Sequence, residues 1–419
     1  MGETLQKWII EWQSGRTNRL PDWIPIDEIM EWKEFERLHP ELTVHDAETL
    51  AAYQKLGEDL KNSRQKCMSD SLSSDTVNKA LNSIRSASIR TGNLQFTALW
   101  HHMNKAMLTH AFFKLKKDAA PGCDAITWEE YAKGLDHNIE DLWERLINWS
   151  YFPKPVRRTY IPKTSGCMRP LGISAVEDKI VQYALKMILE NIYDPSFKGM
   201  SYGFRPGTRA HDALDALYVA ITTKNVNYIL DADIVGCFDN INKQLLLEIL
   251  KDRIGDKRIL RLIERLLNAG ILDDGELRIL DDGVVQGSTL SPLLANILLD
   301  YILDNFIIWW RSIFAKGEVY YVRYADDYVI AFQYKEDAEK LLQALTDRLL
   351  CAGLRLNAKK TRLIPFCKYT RIFNGDTETF DFLGFTHNVV FLGKDANLSW
   401  FGIVSLKGLP RNYLLSEKR

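Results

Sequence analysis

With 419 residues, 46% hydrophobic and 26% charged, the chain can bury more than one core and has the make-up of an ordinary globular protein. A formal net charge of -1 excludes a global basic field, so any grip on nucleic acid must come from a local patch. Cysteines 67, 123, 167, 237, 351 and 367 stand apart with no CxxC pair, which argues against a zinc site or disulfide framework and for a reducing cytoplasm. No continuous apolar run reads as long enough to cross a bilayer and the N-terminus lacks a secretory pattern, so no membrane partner is expected.

The charge is uneven. Residues 1–70 hold 9 Lys+Arg against 14 Asp+Glu, leaving 45 and 41 of the chain's 54 and 55 for the rest. Within that acidic start, Trp8, Ile9 and Trp12, then Ile29, Trp32 and Phe35, have helical spacing and predict a helical N-terminal extension over 1–67. The Ser/Asp-rich stretch from Met68 to Asp75 predicts a linker over 68–94.

The texture changes near Gln95. A turn-rich crossing, Ala119 to Ile126, precedes two strand-like segments, Arg157 to Lys163 and Met168 to Ile173, joined by a Ser165-Gly166 turn. Arg157, Lys163 and Arg169 punctuate them. They could grip a triphosphate, Arg through its bidentate fork and Lys as a point charge, or they could protect a solvated sheet edge. Ile180, Ala184, Leu185, Ile188 and Ile192 then mark the buried face of a helix. Tyr202 to Pro206 is a compact aromatic and basic turn, read either as a backbone contact to nucleic acid or as packing with one salt bridge.

Asp231 and Asp233 lie on the strand-like run Tyr228–Ile234. Phe238 follows five positions on, before a helix from Gln244 to Leu250. If Asp233 binds metal, a turn could bring the Phe238 ring beside the sugar of an incoming nucleotide; alone, it reads as core. Gln286-Gly287 precedes a long apolar helix opened by Ser291-Pro292. Its glycine would let a base pair or backbone approach closely. Glu318–Arg323 and Tyr328–Phe332 are rich in strand formers and flank Tyr324-Ala325-Asp326-Asp327, a predicted hairpin. Taken alone, the Asp pair is a turn. With Asp233 on another apolar strand, the three carboxylates read as a cation site: gathering like charges is costly unless hard cations such as Mg²⁺ are held between them. Two such ions about 3.5–4 Å apart would clamp an in-line phosphoryl displacement. A helical stripe at Ala338, Leu341, Leu342, Leu345 and Leu349 stops at Gly353, and Lys360 follows in a basic turn. Lys360 is either a surface lysine or one that steadies or protonates a leaving pyrophosphate. Phe380–Phe385 predicts a last apolar hairpin.

The order of these features resembles that of reverse transcriptases, most closely the group II intron-encoded reverse transcriptase/maturase family. The blocks that carry the likeness are KDAAPGCDAITWEEY at 117–131, IPKTSGCMRPLGISAVEDKIVQ at 161–182, SYGFRPGTRAHDAL at 201–214, VVQGSTLSPLLANILLD at 284–300 and RYADD at 323–327, with DADIVGCFDNI at 231–241 and DFLGFTH at 381–387. The resemblance implies an α+β fold: a right-hand polymerase with fingers over 95–210 and an antiparallel palm over 211–390. It implies that Asp233, Asp326 and Asp327 hold two Mg²⁺ ions, with Mn²⁺ as a substitute and the Ile234 backbone as a further ligand. Arg157, Lys163 and Arg169 then match triphosphate contacts, Phe238 the sugar gate, Gln286 and Gly287 the contact to template and nascent pair, and Lys360 a catalytic lysine by the phosphates. Asp231, one pleat from Asp233, is expected to stand behind the metal ligands.

The implied partners are an RNA template, a DNA or RNA primer, dNTPs and intron RNA. Family members usually continue into a basic helical thumb and maturase region, then DNA-binding and HNH nuclease regions. Residues 391–419 carry no long basic helix and are expected to be a truncated or divergent thumb, with a protein partner or dimer supplying the missing grip. A polymerase-silent, RNA-binding splicing protein and a truncated remnant are the alternative readings.

Overall fold

The computed structural model describes residues 74–162, 168–279, 281–366, 379–392 and 399–406. The aromatic clusters at Trp8–Trp12 and Ile29–Phe35, and Lys163, lie outside these residues. The first described element, helix α1, takes residues 74–90 of the span expected as a linker at 68–94. Val77, Leu81 and Ile84 recur at helical spacing and enter the core, and the Ser88 hydroxyl donates to the Ile192 carbonyl at 2.6 Å. Ser74 and Asp75, the end of the stretch whose composition suggested a loop, lie in the first turn of this helix, where such residues are favoured.

Three helices follow: α2 (Lys105–Lys114), α3 (Trp128–Ala132) and α4 (Leu135–Ile147). The Asn104 side chain caps α2 by accepting from the Met107 N–H, and Thr127 with Glu130 forms a capping box at α3. Strands β1 (Val156–Pro162) and β2 (Met168–Ile173) pair antiparallel from Arg157↔Ile173 to Pro162↔Met168. Helix α5 (Val176–Tyr193) buries the expected face, and Ile180, Ala184, Leu185, Ile188 and Ile192 are each fully buried. Each buried Leu or Ile of this kind contributes about 1.5–3 kcal/mol.

Helix α6 (Ala210–Thr223) leads to β3 (Tyr228–Asp233), and a left-handed Gly236 opens a short 3-10 turn at Cys237–Asn240. Helices α7 (Lys243–Arg253) and α8 (Lys257–Leu267) precede a small hairpin, β4 (Ile271–Asp273) and β5 (Glu276–Arg278). Strand β4 runs parallel to the root of β1, so the order of this sheet is β2-β1-β4-β5.

Next, α9 (Ser291–Leu299), a π-helical turn (Asp300–Asp304) and α10 (Asn305–Phe314) run on without a break. This 24-residue run holds an 18-residue window of mean hydropathy 1.4 and is long and apolar enough by length and composition to cross a membrane, which corrects the expectation that the chain holds none. That window is 67% buried inside the protein, where the run serves as a core helix. Strands β6 (Val319–Tyr324) and β7 (Asp327–Phe332), helix α11 (Lys335–Cys351) and β8 (Arg362–Pro365) complete a second sheet, ordered β6-β7-β3-β8 and antiparallel throughout. Last come β9 (Phe380–Phe382), β10 (Phe385–Leu392) and β11 (Ser399–Leu406), in a third antiparallel sheet. The architecture is α+β.

The second sheet separates two cores. Leu230, Ala232, Tyr321, Tyr328 and Ile330 face the large cluster built on α5, α9 and α11. Ile229, Val322, Val329 and Ala331 face a smaller one with α6, Phe380 and Phe382. Side-chain alternation along each strand enforces this division.

Candidate active site

The antiparallel register β3–β7 makes Asp233 and Asp327 direct cross-strand partners. Their Cα atoms are therefore about 4.5–5.5 Å apart and their side chains leave the same face. On β6–β7, Tyr324 pairs with Asp327, so Ala325-Asp326 is a two-residue turn. Ala325 holds φ at 58°, the left-handed conformation such a tight connection demands. The predicted hairpin is thus formed, and it carries Asp326 and Asp327 to the end of β3 where Asp233 sits.

The electrostatics record this convergence. Burial, followed by the charges of Asp231, Asp326 and Asp233, pushes the Asp327 carboxyl up to about 6, against the Leu383 N–H that favours its anion. Burial also raises Asp231, with the Arg362 guanidinium opposing at 3.3 Å. The buried Cys237 thiol is pushed up to about 12, first by desolvation and then by Asp326.

A cluster of carboxylates that raise one another's proton affinity is the donor set a hard divalent cation relieves, so the side chains present fit such an ion in kind. Among the described residues, however, no three His, Cys, Asp or Glu side chains are gathered closely enough to ligate one. Asp233 is engaged by other groups: Lys360 Nζ donates to Oδ1 at 3.1 Å, Asn357 Nδ2 to Oδ2 at 3.0 Å, and the Asn357 N–H to the Asp233 carbonyl at 2.7 Å. Ile234 is buried and bridged to Leu356.

The structure places the remaining candidates around this point. Arg157 and Arg169 fall on one face of the β1–β2 hairpin, because Arg169 opposes Ile161, four residues from Arg157. The Arg157 guanidinium donates to the Pro121 carbonyl at 2.8 Å, while Arg169 is exposed. Phe238 lies half-buried in the 3-10 turn, and its carbonyl accepts from the Val284 N–H at 2.8 Å. Gln286 donates from Nε2 to both carboxylate oxygens of Asp239 at 3.2 Å. Gly287 has φ at 101° and presses on β2: a Cβ there would stand 2.6 Å from the Gly172 carbonyl oxygen. Only glycine satisfies both conditions.

Several contributors escape a reading by residue type. Gln182 on α5, 5% exposed, accepts from the Ser288 hydroxyl and the Thr289 N–H, which fixes the loop that carries Gln286 and Gly287. Arg323, in front of the hairpin turn, is fully buried and ion-paired with Asp304 from the π-helical turn. It also donates to Asn296 Oδ1 at 2.8 Å and to the Ala325 carbonyl at 2.9 Å. Burial alone would depress the guanidinium's proton affinity; the adjacent Asp304 carboxylate outweighs it and holds Arg323 above the usual arginine range.

The segment Tyr202–Pro206 braces the same hairpin. Its backbone joins β6 through Tyr202 N–H to Arg323 O at 2.9 Å and Arg323 N–H to Met200 O at 2.9 Å. A Cβ on Gly203 would meet the Ala325 nitrogen at 2.3 Å, and Asn296 donates to the Gly203 carbonyl at 2.7 Å. Of the two readings of this turn, the structure selects packing plus a salt bridge: Arg205 donates to Asp194 at 2.9 Å and to the carbonyls of Lys198 and Ser201.

This sheet, hairpin and flanking loops coincide with a family match. The model of the reverse transcriptase (RNA-dependent DNA polymerase) family covers residues 161–387, more than half of the chain, and the protein belongs to that family. The chain is 31% identical over 290 residues to protein YkfC of Escherichia coli K12, covering 61% of this chain and 74% of that protein. It is 40% identical over 182 residues to the group II intron-encoded protein LtrA of Lactococcus lactis subsp. cremoris, covering 43% of this chain but only 30% of that protein. Among solved structures, an apo telomerase of Candida tropicalis aligns with 63% of this chain and 59% of its own, at 16% identity and a TM-score of 0.44.

Proposed function

We propose that the protein is an RNA-directed DNA polymerase of the group II intron type. The observation that carries this reading is the register that sets Asp233 opposite Asp327, with Asp326 in the adjoining two-residue turn. Asp233, Asp326 and Asp327 would hold two Mg²⁺ ions, with Mn²⁺ as a substitute; when bound, these supply Lewis-acid activation of the primer 3′-hydroxyl and neutralise the leaving group. The primer 3′-hydroxyl gives up its proton to solvent as its oxygen attacks the α-phosphorus of a dNTP, the bond to the bridging oxygen breaks, and pyrophosphate departs.

The chain's own groups orient that exchange. Arg157 and Arg169, on one face of their hairpin, meet the triphosphate as charge-assisted donors, and the family resemblance adds Lys163 as a third. Phe238 packs under the sugar and clashes with a 2′-hydroxyl. Gln286 and Gly287 meet the nascent base pair, with the Gln286 amide oriented by Asp239. Lys360 leaves Asp233 for the departing pyrophosphate, which it steadies or protonates.

The test is Mg²⁺-dependent dNTP incorporation on a primed RNA template. Asp326→Ala and Asp327→Ala are each expected to reduce incorporation by at least about a thousandfold, the scale of losing a principal electrostatic contributor. Undiminished incorporation by either variant would sink the reading. The likeness to an intron-encoded protein supports a second one, in which the chain binds intron RNA and its polymerase is silent. It prevails if the wild type never incorporates dNTP while both wild type and Asp326→Ala promote splicing of a structured intron RNA.

A further inference from the structure

The chain that flanks β3 on the side away from β7 carries an insertion. Asp231 pairs with Arg362 on β8, while Ile234 is bridged to Leu356. Three steps along β3 thus correspond to six on its neighbour, and the surplus is looped out as a turn at 358–360, level with Asp233. Extra residues in a ladder re-aim the side chains beside them, and they are over-represented next to active sites. The side chain re-aimed here is that of Asn357.

The polar groups of Asn357 divide between two tasks. Its carbonyl accepts from the Lys360 N–H at 3.0 Å and the Thr361 N–H at 2.8 Å, and its Oδ1 accepts from the Lys359 N–H at 3.2 Å, which closes the turn. The donors go to one residue: the Asn357 N–H to the Asp233 carbonyl at 2.7 Å, and Nδ2 to Asp233 Oδ2 at 3.0 Å. Backbone and carboxylate of Asp233 are therefore both tied to Asn357. The other carboxylate oxygen, Oδ1, accepts from Lys360 Nζ at 3.1 Å, and that lysine side chain is 65% exposed. The two partners differ in hold. The amide is short and anchored by its own turn, whereas an exposed lysine on a flexible stem makes a weak, exchangeable pair.

We infer that Asn357 is a positioning residue for the carboxylate cluster: it holds Oδ2 of Asp233 and leaves Oδ1 as the oxygen that serves a divalent cation shared with Asp326 and Asp327. The inference rests on the reading of these three carboxylates as a metal site. Asn357 takes no part in bond exchange. It removes the rotation of the Asp233 side chain before the ion arrives, so less freedom is lost on binding.

The test reads metal binding with neither nucleic acid nor dNTP present. Mn²⁺ is titrated into the full chain, and the unbound ion is followed by electron paramagnetic resonance. The wild type is expected to take up Mn²⁺ and Asp326→Ala to lose that uptake, which locates the site. In Asn357→Ser the hydroxyl can still accept from the Lys359 N–H and close the turn, but it is too short to reach Asp233. This variant is expected to need at least about tenfold more Mn²⁺ for half occupancy, at an unchanged melting temperature. Equal affinity in Asn357→Ser and wild type overturns the inference. A lowered melting temperature also overturns it, because it assigns Asn357 to shaping the turn alone. If the wild type takes up no Mn²⁺, or Asp326→Ala takes up as much, the metal reading itself fails, a result distinct from the other two.

Discussion

At the scale of single residues, the most consequential side chain after the three aspartates is Arg323. It is fully buried and meets Asp304, Asn296 and the Ala325 carbonyl, so one guanidinium links the π-helical turn, α9 and the hairpin turn. Replacing it with methionine strands the Asp304 carboxylate in the core. Arg323→Met is expected to lower unfolding stability by about 3–5 kcal/mol, measured by urea denaturation. Arg323→Met with Asp304→Leu removes both charges and is expected to recover most of that loss. A double variant as unstable as the single one would show that the pair contributes more than charge balance.

The signal for Arg323 was present in the sequence. It shares strand parity with Val319 and Tyr321, both buried, so alternation pointed it inward against the usual habit of arginine. Asp233 and Asp327 stand out for the opposite reason: they end apolar strands where a carboxylate has a cost, while Asp326, in the turn between β6 and β7, is marked only by its neighbour. Asn357 and Gln182 were not legible. Their roles arise from partners more than a hundred positions away, and nothing local marks a polar side chain that will be buried or aimed by such a partner.

At the scale of elements, the hairpin β6–β7 depends on the neighbour that braces it. Gly203 has no room for a side chain against the Ala325 backbone, and backbone cannot give way as a flexible side chain would. Gly203→Ala is therefore expected to displace the turn that carries Asp326, with incorporation falling at least about a hundredfold, the cost of roughly 1 Å of misplacement. Near-wild-type rates in Gly203→Ala would show that the brace is dispensable. The hairpin, α5 and α11 were readable because period and turn chemistry agree locally. The role of Tyr202–Pro206 was only half readable, since one stretch of aromatic and basic residues fits a nucleic-acid contact or a packed turn equally well. Helix α1 departs from its Ser/Asp-rich start because the helical spacing of Val77, Leu81 and Ile84 lets one face be buried.

At the scale of the whole molecule, one hydrophobic cluster runs from Val77 through α5 and α9 to Leu354. The residues named as fingers and palm in the sequence reading thus share a core, a distribution that periodicity alone cannot reveal. Native-state hydrogen exchange is expected to give the slowest amides of α5 and β7 the same opening free energy. A difference of several kcal/mol between them would mean two separately melting cores.

Strand β1 adds a constraint on motion. Its root pairs with β4 at Val156↔Ile271 and Arg157↔Leu272, and the Gly172 N–H opposite Arg158 donates to the Gln286 carbonyl at 2.6 Å. The base of the arginine-bearing ribbon is thus stitched on one flank to the β4–β5 hairpin and on the other to the loop that carries Gln286. Any grasping stroke over an incoming nucleotide must flex the ribbon beyond that stitching, as a fishing rod bends above the hand. The reach of the stroke is then set by the free length of β1 and β2.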